Sequence, residues 1–442
     1  MSAMFAESQP AATTAVIEVP RGKRKRVVII GGGFAGIAAA HALRHADADV
    51  LLIDRRNHHI FQPLLYQVAT AVLSPAEIAA PIRQLEAKQQ NVTVLLAEVT
   101  GVDVASRTIE VASPGGARKI AFDYLVVATG MRPNYFGHDE FARYAPGLKS
   151  LGDAETIRAK ILGAFELAAM TEDEGERARQ MTFVLVGAGA TGVELAGSLA
   201  GLVKVTLRGN FRRIDPSKST IILLDAGNRV LPTFAELLSR RVTRRLTKLG
   251  VKVMTGVKVE TVDDNGVVAG ERRIPSATVV WTAGVAASPI PRMLGTKTDR
   301  AGRALVDPFL KVVEAPGVFV AGDAASIMQN GHPVPGVAQA AIQEGRYVGQ
   351  LIASEVKGRE VKRPFHYFDK GNMAVVGKNY AVLERGSLRT GGFLTWLAWA
   401  FVHILSLPQL QNRLRVQRQW LWSYFTGQRS SRLIPETYGP DH

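Results

Sequence analysis

The chain has no cysteine among its 442 residues. Disulfides, iron–sulfur clusters and thiolate metal sites are therefore excluded. Any mechanism that needs a redox-active cysteine pair is excluded as well. We predict no metal site.

Long apolar segments are scarce too. The C-terminal run Phe393–Leu407 has 15 residues without a formally charged side chain, and Pro408 ends it. A membrane-spanning helix needs about 20 apolar residues, so this run is too short to cross a bilayer. The first 20 residues are rich in Ala, Ser, Thr and Pro and lack the apolar core of a signal peptide. We predict a disordered tail over residues 1–25 and a cytosolic protein body.

Acidic residues are outnumbered, with 39 Asp and Glu against 54 Lys and Arg and a formal net charge of +15. Residues 361–432 hold 11 Lys and Arg against two Asp and Glu. No nucleic-acid-binding motif accompanies them, so we predict an anionic lipid surface as partner and no nucleic acid. Arginines interleaved with Trp and Tyr after Pro408 suit the lipid headgroup region. A dimer interface or a core helix is the alternative interpretation of this segment.

A glycine fingerprint occurs twice. Gly31–Gly36 follows the apolar run Val27–Ile30, and Gly187–Gly192 follows Phe183–Val186. In such a motif the first Gly makes a tight turn, the second lets backbone approach a pyrophosphate, and the third packs helix against strand. The free N–H groups at the helix start then face the phosphates. Two copies predict two dinucleotides, one tightly bound and one exchanging, as when a flavoprotein takes hydride from a nicotinamide.

Each fingerprint is followed by a strand that ends in a carboxylate. Val50–Asp54 follows the first copy. Thr220–Asp225 follows the second copy after a longer interval, and we interpret residues 201–219 as an insertion that accounts for it. An acid at this position bonds the ribose 2′-OH. A solvated residue at a strand end is the alternative for both Asp54 and Asp225.

Strand-like and helix-like segments alternate from Val27 to about Ile352, which indicates parallel sheets with crossover helices. Two buried strands run into small-residue turns at 128–130 and 283–284, where backbone can lie against a cofactor. A third strand delivers Asp323 after Gly322, and we expect Asp323 to bind the ribityl hydroxyls of a flavin held by the first fingerprint. The first domain is thus expected to be discontinuous.

These patterns predict an α/β protein with two Rossmann-type dinucleotide-binding domains and a C-terminal membrane-anchoring helical segment. The expected domains are the tail 1–25, an FAD-binding domain over 26–150 and 301–360, an NADH-binding domain over 151–300, and a membrane-associating domain over 361–442.

Three longer motifs are more specific than the fingerprints. They are Arg56–Ala69 (RNHHIFQPLLYQVA), Ala338–Gly345 (AQAAIQEG) and Phe368–Ala374 (FDKGNMA). With them the chain resembles the type II NADH dehydrogenases from Val27 to about Tyr424. The resemblance implies a glutathione-reductase-like architecture with bound FAD and a peripheral protein on the cytosolic face of the inner (cytoplasmic) membrane. It also implies that electrons pass from NADH to membrane quinone without proton pumping.

The resemblance assigns roles to several residues. Gln339 and Gln343 are four residues apart on a predicted helix and match the quinone-site pattern of the family. Glu194, expected in the first turn of its helix, is implied to approach the nicotinamide amide. The apolar C-terminal segment has no lysine that supplies a proton to quinone, so we predict His403 as its substitute. Trp396 and Trp399 lie near His403 in the chain and are expected to line a quinone entrance or, alternatively, to be buried in lipid. The cofactor-binding residues are predicted to be Gly31, Gly33, Phe34, Ala35, Gly36, Asp54, Arg55, Val99, Ala128, Thr129, Gly130, Gly187, Gly189, Thr191, Gly192, Asp225, Ala283, Gly284, Gly322, Asp323 and Ala338.

The chain departs from the family in two places. The lysine named above is absent, and both ribose carboxylates are Asp where many relatives carry Glu, a shorter reach that bears on the preference for NADH over NADPH. A soluble NADH:acceptor reductase of the ferredoxin type is one alternative function. A membrane redox sensor or assembly factor without turnover is another, and the protein could also form a homodimer.

Overall fold

The computed structural model describes residues 17–18 and 22–434. The predicted disordered tail 1–25 lies mostly outside the described residues. Where it is described, the prediction is wrong: Ile17–Glu18 pairs in parallel with a strand of an antiparallel sheet, and Lys25 opens the first strand of a parallel sheet. Backbone hydrogen bonds to a neighbouring strand, which composition does not reveal, order these residues.

The described part of the chain contains α-helices of 4 to 20 residues. They are α1 Phe34–Ala42, α2 Leu65–Ala69, α3 Pro75–Ile78, α4 Ile82–Leu85, α5 Leu151–Met170, α6 Glu174–Gln180, α7 Ala190–Gly201, α8 Glu236–Lys248, α9 Ile290–Met293, α10 Ala338–Val356, α11 Phe393–Ser406 and α12 Leu410–Thr426.

The strands are mostly short. They are β1 Ile17–Glu18, β2 Lys25–Ile30, β3 Ala48–Asp54, β4 His58–Ile60, β5 Ala79–Pro81, β6 Val92–Leu96, β7 Glu98–Asp103, β8 Thr108–Ser113, β9 Gly116–Ala121, β10 Tyr124–Val127, β11 Met131–Pro133, β12 Thr182–Val186, β13 Thr220–Asp225, β14 Val251–Thr255, β15 Val259–Asp263, β16 Gly266–Ala269, β17 Arg272–Pro275, β18 Thr278–Trp281, β19 Val285–Ala287, β20 Ala304–Leu305, β21 Val318–Val320, β22 Ala325–Ser326, β23 Met328–Gln329, β24 His332–Pro333, β25 Asn372–Val375, β26 Ala381–Arg385 and β27 Leu388–Gly392.

The chain divides into two compact units. The first comprises the residues up to Asn57, Ile82–Gly130 and Ala287–Tyr367. Its centre is a five-stranded parallel sheet in the order β21-β10-β2-β3-β6. Strands buried on both faces read as continuous apolar runs, and Val27–Ile30 is such a run.

Helices α1 and α10 pack together inside the first unit. Gly345 makes this possible, because a Cβ there would lie 2.0 Å from the Ala35 carbonyl oxygen. Gly349 is in the same position one turn later, 2.6 Å from the Ala39 carbonyl oxygen. Glycine at these two positions therefore lets α10 pack closely against α1.

The second unit comprises His58–Pro81, Met131–Ala286 and the chain from Phe368 onward. Its parallel sheet has the order β14-β13-β12-β18, and the antiparallel sheets β15-β16-β17 and β25-β26-β27 belong to it as well. The insertion proposed over 201–219 contains a π-helical turn at Leu202–Thr206 and a 3₁₀ turn at Pro216–Lys218.

These units differ from the predicted domain boundaries in several places. Residues 287–300 cluster with the first unit, although we assigned them to the NADH-binding domain, and residues 361–367 do so although we assigned them to the membrane-associating domain. Residues 58–81 and 131–150 cluster with the second unit, although we assigned them to the FAD-binding domain. The residues from Phe368 also cluster with the second unit, and the sheet β25-β26-β27 precedes their two helices. Tertiary contacts, which composition along the chain does not reveal, decide this grouping.

Among the described residues, no helix is both long enough and apolar enough to cross a membrane. Helix α11 has 14 residues, about 21 Å at 1.5 Å per residue, against a bilayer core of about 30 Å. The expectation that Phe393–Leu407 is too short to cross is confirmed.

Candidate active site

The first glycine turn has the geometry that a dinucleotide needs. Gly31 has φ +107°, and a Cβ there would lie 2.3 Å from the Ala128 carbonyl oxygen. At Gly36 a Cβ would lie 1.8 Å from the Gly31 carbonyl oxygen, so the helix can pack only with glycine there. At Gly33 a Cβ would meet nothing within 4 Å. The turn is therefore closed at its first and third glycines and open at its second, where a pyrophosphate has to approach.

Asp54 is tied to this turn. Its carboxylate accepts hydrogen bonds from the Gly32 N–H at 2.7 Å and from the Arg56 N–H at 2.7 Å. A carboxylate has about four lone-pair sites, so these two bonds leave it able to accept a ribose hydroxyl. These two bonds hold the Asp54 carboxylate beside the glycine turn, and its contact with a ribose stays a prediction.

Several of the remaining predicted flavin residues gather around the same turn. A Cβ at Gly322, where φ is +72°, would lie 3.1 Å from the Ala35 Cβ and 3.3 Å from the Ala341 Cβ. The Ser288 hydroxyl donates to the Thr129 hydroxyl at 2.7 Å, next to Gly130 with φ +63°. Phe34 and Ala338 begin α1 and α10, and Asp323 lies in a 3₁₀ turn. The contacts above do not include the last two predicted residues: Val99 is buried in β7, and Arg55 forms an exposed ion pair with Glu98 at 3.6 Å.

Glu344 is a residue of this region that sequence reasoning missed. Its side chain is 3% exposed and accepts a hydrogen bond from the Gly322 N–H at 2.6 Å. Burial raises the pKa of Glu344 to about 8. The sequence contains one indication of this burial: Glu344 stands directly before Gly345, which lies against Ala35 of α1.

The second glycine turn repeats the geometry of the first inside the second unit. Gly187 has φ +106°, and a Cβ there would lie 2.5 Å from the Ala283 amide nitrogen. At Gly192 a Cβ would lie 1.9 Å from the Gly187 carbonyl oxygen, and at Gly189 it would meet nothing within 4 Å. Both fingerprints therefore form the same closed–open–closed turn.

Asp225 repeats the role of Asp54. It accepts hydrogen bonds from the Ala188 N–H at 2.5 Å and from the Gly227 N–H at 2.7 Å. Thr191 is exposed at the start of α7, beside the open Gly189. Gly284 has φ +69°, and a Cβ there would lie 2.3 Å from the Phe136 ring. Phe136 is 63% exposed and was not predicted as a site residue.

Glu194 is not in the first turn of its helix, as we predicted. Helix α7 begins at Ala190, so Glu194 is its fifth residue and has no helix-terminus role. Its carboxyl accepts a 3.3 Å hydrogen bond from the Val375 N–H of β25. Burial raises the pKa of Glu194 to about 8. The negative charge of Glu194 also raises the pKa of Tyr66, second to the effect of burial.

A buried polar network surrounds Tyr66, and most of its members were not predicted. The Gln67 side-chain amide N–H donates to the Tyr66 hydroxyl at 2.9 Å, and the Trp420 indole N–H donates to the side-chain amide oxygen of Gln67 at 2.7 Å. Arg429 donates to the carbonyl oxygens of Thr70 at 2.6 Å and Ser198 at 2.8 Å. Tyr66 and Gln67 lie in the quoted motif Arg56–Ala69, but nothing in the sequence singles out Arg429.

Gln339 and Gln343 lie in the first two turns of α10, so the predicted helix is present. Both side chains are half-buried, and the buried Ala340 and Ala341 lie between them in the chain. The Gln343 amide donates to the backbone carbonyl of Gln339 at 3.1 Å. The pair thus presents neutral polar groups in an apolar setting.

The structure argues against the proton-donor role predicted for His403. Burial lowers the pKa of His403 to about 4, so the imidazole is neutral at pH 7. Its Nδ1 lies 2.7 Å from the Trp399 carbonyl oxygen, which can only accept, so the single N–H of the neutral ring is already used. Trp399 is 2% exposed and stacks on Trp420 at 5.2 Å, so Trp399 is not buried in lipid either.

Comparison with known proteins agrees with this geometry. The model of the pyridine nucleotide-disulphide oxidoreductase family matches residues 25–345. The type II NADH:quinone oxidoreductase NdhA of Mycobacterium tuberculosis is 45% identical, over 93% of this chain and 90% of its own length. The protein Ndh of the same organism, with the same description, is 44% identical over 94% of this chain and 91% of its own.

The chain belongs to the type II NADH:quinone oxidoreductases. The structure of NDH2 from Plasmodium falciparum in complex with NADH has the same fold, with a TM-score of 0.83 and 21% identity. That match covers 94% of this chain and all of the other. A type II oxidoreductase binds FAD and uses NADH as substrate. The disulphide chemistry in the broader family's name is excluded here, because the chain has no cysteine.

Proposed function

We propose that the protein oxidises NADH and passes two electrons through bound FAD to a membrane quinone, without pumping protons. The observation that carries this is the repeated closed–open–closed turn with its Asp, once in each unit. When bound, FAD supplies the two-electron redox chemistry that the side chains of a cysteine-free chain lack.

In the first unit, Gly33 and the α1 N-terminus receive the FAD pyrophosphate, because backbone N–H groups face the open side of the turn. Asp54 bonds the adenosine ribose, and Asp323 the ribityl chain. The match of turn and carboxylate supports these assignments.

In the second unit, Gly189 and the α7 N-terminus receive the NADH pyrophosphate, and Asp225 receives the ribose hydroxyls. A carboxylate there disfavours the extra 2′-phosphate of NADPH, so NADH is the preferred donor. Glu194 lies in α7, the helix that begins at this fingerprint, and this place supports a role close to the nicotinamide.

Gln339 and Gln343 are proposed to hydrogen-bond the quinone. Two neutral amides can bond its carbonyl oxygens without placing a charge in an apolar site. The quinone-site motif is complete at Ala338–Gly345, and that match is the support for this role.

Helices α11 and α12 are proposed to attach the protein peripherally to anionic lipid on the cytosolic face of the cytoplasmic membrane. Large apolar side chains that cover a protein surface mark an interaction site. The exposed apolar residues are Phe393, Leu394, Leu397, Phe401, Val402, Leu405, Leu410, Leu414, Leu421, Trp422 and Phe425. The alternative is that a second copy of the chain covers this surface in a homodimer.

Stopped-flow measurement in detergent with a soluble quinone tests the function. NADH should bleach the flavin, and quinone should restore its colour. Replacing Gln343 with Phe should slow the quinone half-reaction roughly 5- to 150-fold, since overpacking costs about 1–3 kcal/mol, and leave flavin reduction near normal. Gln350→Phe, at an exposed position of the same helix, is the matched control. A Gln343→Phe variant that is slow only with NADH contradicts the quinone assignment.

A further inference from the structure

Helix α8 carries a row of cations along one side. Arg241, Arg244 and Lys248 are spaced three and four residues apart, so they share one face, and all three are exposed. Leu237, 51% exposed, continues the same row toward the start of the helix. Leu238, Val242 and Leu246 are buried on the opposite side. The row therefore belongs to the surface of the second unit and has no part in its core.

These three cations have no carboxylate partner in an ion pair within the described part of the chain. Arg240 differs from them, because it pairs with Glu236 at 2.9 Å. The nearby Glu384 is used as well, by Arg389 at 3.0 Å and by the Ala235 N–H at 2.8 Å. The cationic row is thus not neutralised by its own neighbours.

The row adjoins the exposed apolar helices of the same unit. Arg245 of α8 donates to the Lys378 carbonyl oxygen at 2.7 Å, and the Lys378 ammonium donates to the Tyr424 carbonyl oxygen of α12 at 2.6 Å. The same ammonium lies 4.0 Å from the centre of the Tyr424 ring, and that ring lies 5.7 Å from Trp396 of α11. Lys378 thus links Arg245 of the basic helix α8 to Tyr424, which lies at the aromatic end of the apolar surface.

We propose that α8 is a second membrane contact, which binds anionic lipid headgroups through Arg241, Arg244 and Lys248 beside the apolar surface of α11 and α12. The proposal rests on the membrane attachment put forward above. Lipid fits better than nucleic acid, because the cations continue into aromatic and apolar side chains, as at a headgroup boundary. Cations facing an anionic surface each strengthen binding about fivefold, so the three together contribute roughly a hundredfold.

Vesicle binding by the purified, FAD-loaded protein tests this. The vesicles are phosphatidylcholine alone or phosphatidylcholine with phosphatidylglycerol, at low ionic strength because salt screens the attraction. The triple variant Arg241→Gln, Arg244→Gln, Lys248→Gln should lose up to a hundredfold in affinity for the anionic vesicles. Its binding to neutral vesicles and its turnover with a soluble quinone should not change.

The control removes three exposed cations elsewhere, as Arg83→Gln, Lys88→Gln, Arg272→Gln. Equal losses in both triple variants would reduce the effect to net charge and overturn the proposal. So would wild-type binding that ignores phosphatidylglycerol. If the α8 variant binds like wild type while Leu394→Asp with Phe401→Asp detaches, the α8 proposal fails and the proposed membrane attachment stands. If none of these changes affects binding, the attachment itself is wrong.

Discussion

At the scale of single residues, the two glycine turns show how steric limits set chemistry. Gly33 and Gly189 have free space where a Cβ would be. At the first and third glycines of each fingerprint, by contrast, backbone atoms lie within about 2.5 Å of that point. The open position matters for the ligand, and the closed positions matter for folding. The two kinds of glycine therefore respond differently to substitution.

Gly33→Val should lose FAD, and Gly189→Val should keep FAD but bind NADH weakly. A side chain in the path of the pyrophosphate costs about 1–3 kcal/mol, roughly a 5- to 150-fold loss of affinity. The flavin absorbance of the purified variants and an NADH titration of flavin reduction measure the two effects. Each variant is the control for the other. Full flavin content in Gly33→Val would contradict the assignment of the first turn.

Glu344 shows how burial alters an acid that sequence reasoning treats as charged. Its pKa of about 8 means that the folded protein holds a proton that the unfolded chain, with a pKa of 4.5, releases at neutral pH. Folding then takes up a proton between these two values. Stability falls as pH rises through this window, by up to about 1.4 kcal/mol per pH unit, and the loss is complete above pH 8.

Glu344→Gln should therefore gain stability relative to wild type as pH rises from about 5 to 8. The amide oxygen can still accept from the Gly322 N–H, and no charge has to be buried. Denaturant unfolding across this range measures the difference. Glu110→Gln, at an exposed position of the first unit, should follow the wild-type curve. Parallel curves for Glu344→Gln and wild type would place the pKa of Glu344 near its ordinary value.

At the scale of elements, Arg429 joins the end of α12 to two other helices. It is 8% exposed and donates to Thr70, the C-cap of α2, and to Ser198 in the last turn of α7. The C-terminal end of a helix carries partial negative charge, which a buried guanidinium can balance. Burial nevertheless lowers the pKa of Arg429 to about 9.

Arg429→Met should destabilise the protein by about 2–6 kcal/mol, because two buried carbonyl oxygens lose their donor. Arg429→Lys should fall between Met and wild type, since it restores the charge but not both bonds. Arg432→Met, which removes the hydrogen bond to the exposed Asn210, should cost less than about 1 kcal/mol. Unfolding in denaturant measures all three. A small loss in Arg429→Met would mean that water replaces the guanidinium.

The same scale explains why point variants test α11 and α12 better than deletion does. The Asn412 amide donates to the carbonyl oxygens of Ala76, Glu77 and Ala79, and Trp399 is buried. Removing the chain from Gly391 onward would expose these groups and unfold part of the second unit. Loss of membrane binding would then not distinguish attachment from folding.

At the scale of the whole molecule, the charge of +15 and the apolar helices predict two kinds of membrane force. High salt should extract the protein poorly, because salt screens the attraction of charges but not buried apolar area. Leu394→Asp with Phe401→Asp should make the protein extractable by salt while FAD stays bound. Ultracentrifugation of membranes after salt washing measures both. Complete extraction of wild type by salt would indicate a purely electrostatic contact.

The sequence by itself determined the features that depend on neighbouring residues. The two glycine turns, the strands that lead into them, Asp54, Asp225 and the helix of Gln339 and Gln343 all follow from local spacing, because a turn or a helix is built from consecutive residues. The family resemblance, carried by longer motifs, extended this to function.

Only the tertiary structure decided the features that depend on residues far apart in the chain. Arg429 meets Thr70 across 359 positions, and Trp420 meets Gln67 across 353. The raised pKa values of Glu194 and Glu344 and the lowered pKa of His403 are set chiefly by burial among such distant neighbours. Burial is a property of the packed chain, so no local pattern could have reported that His403 is neutral or that Glu344 holds a proton.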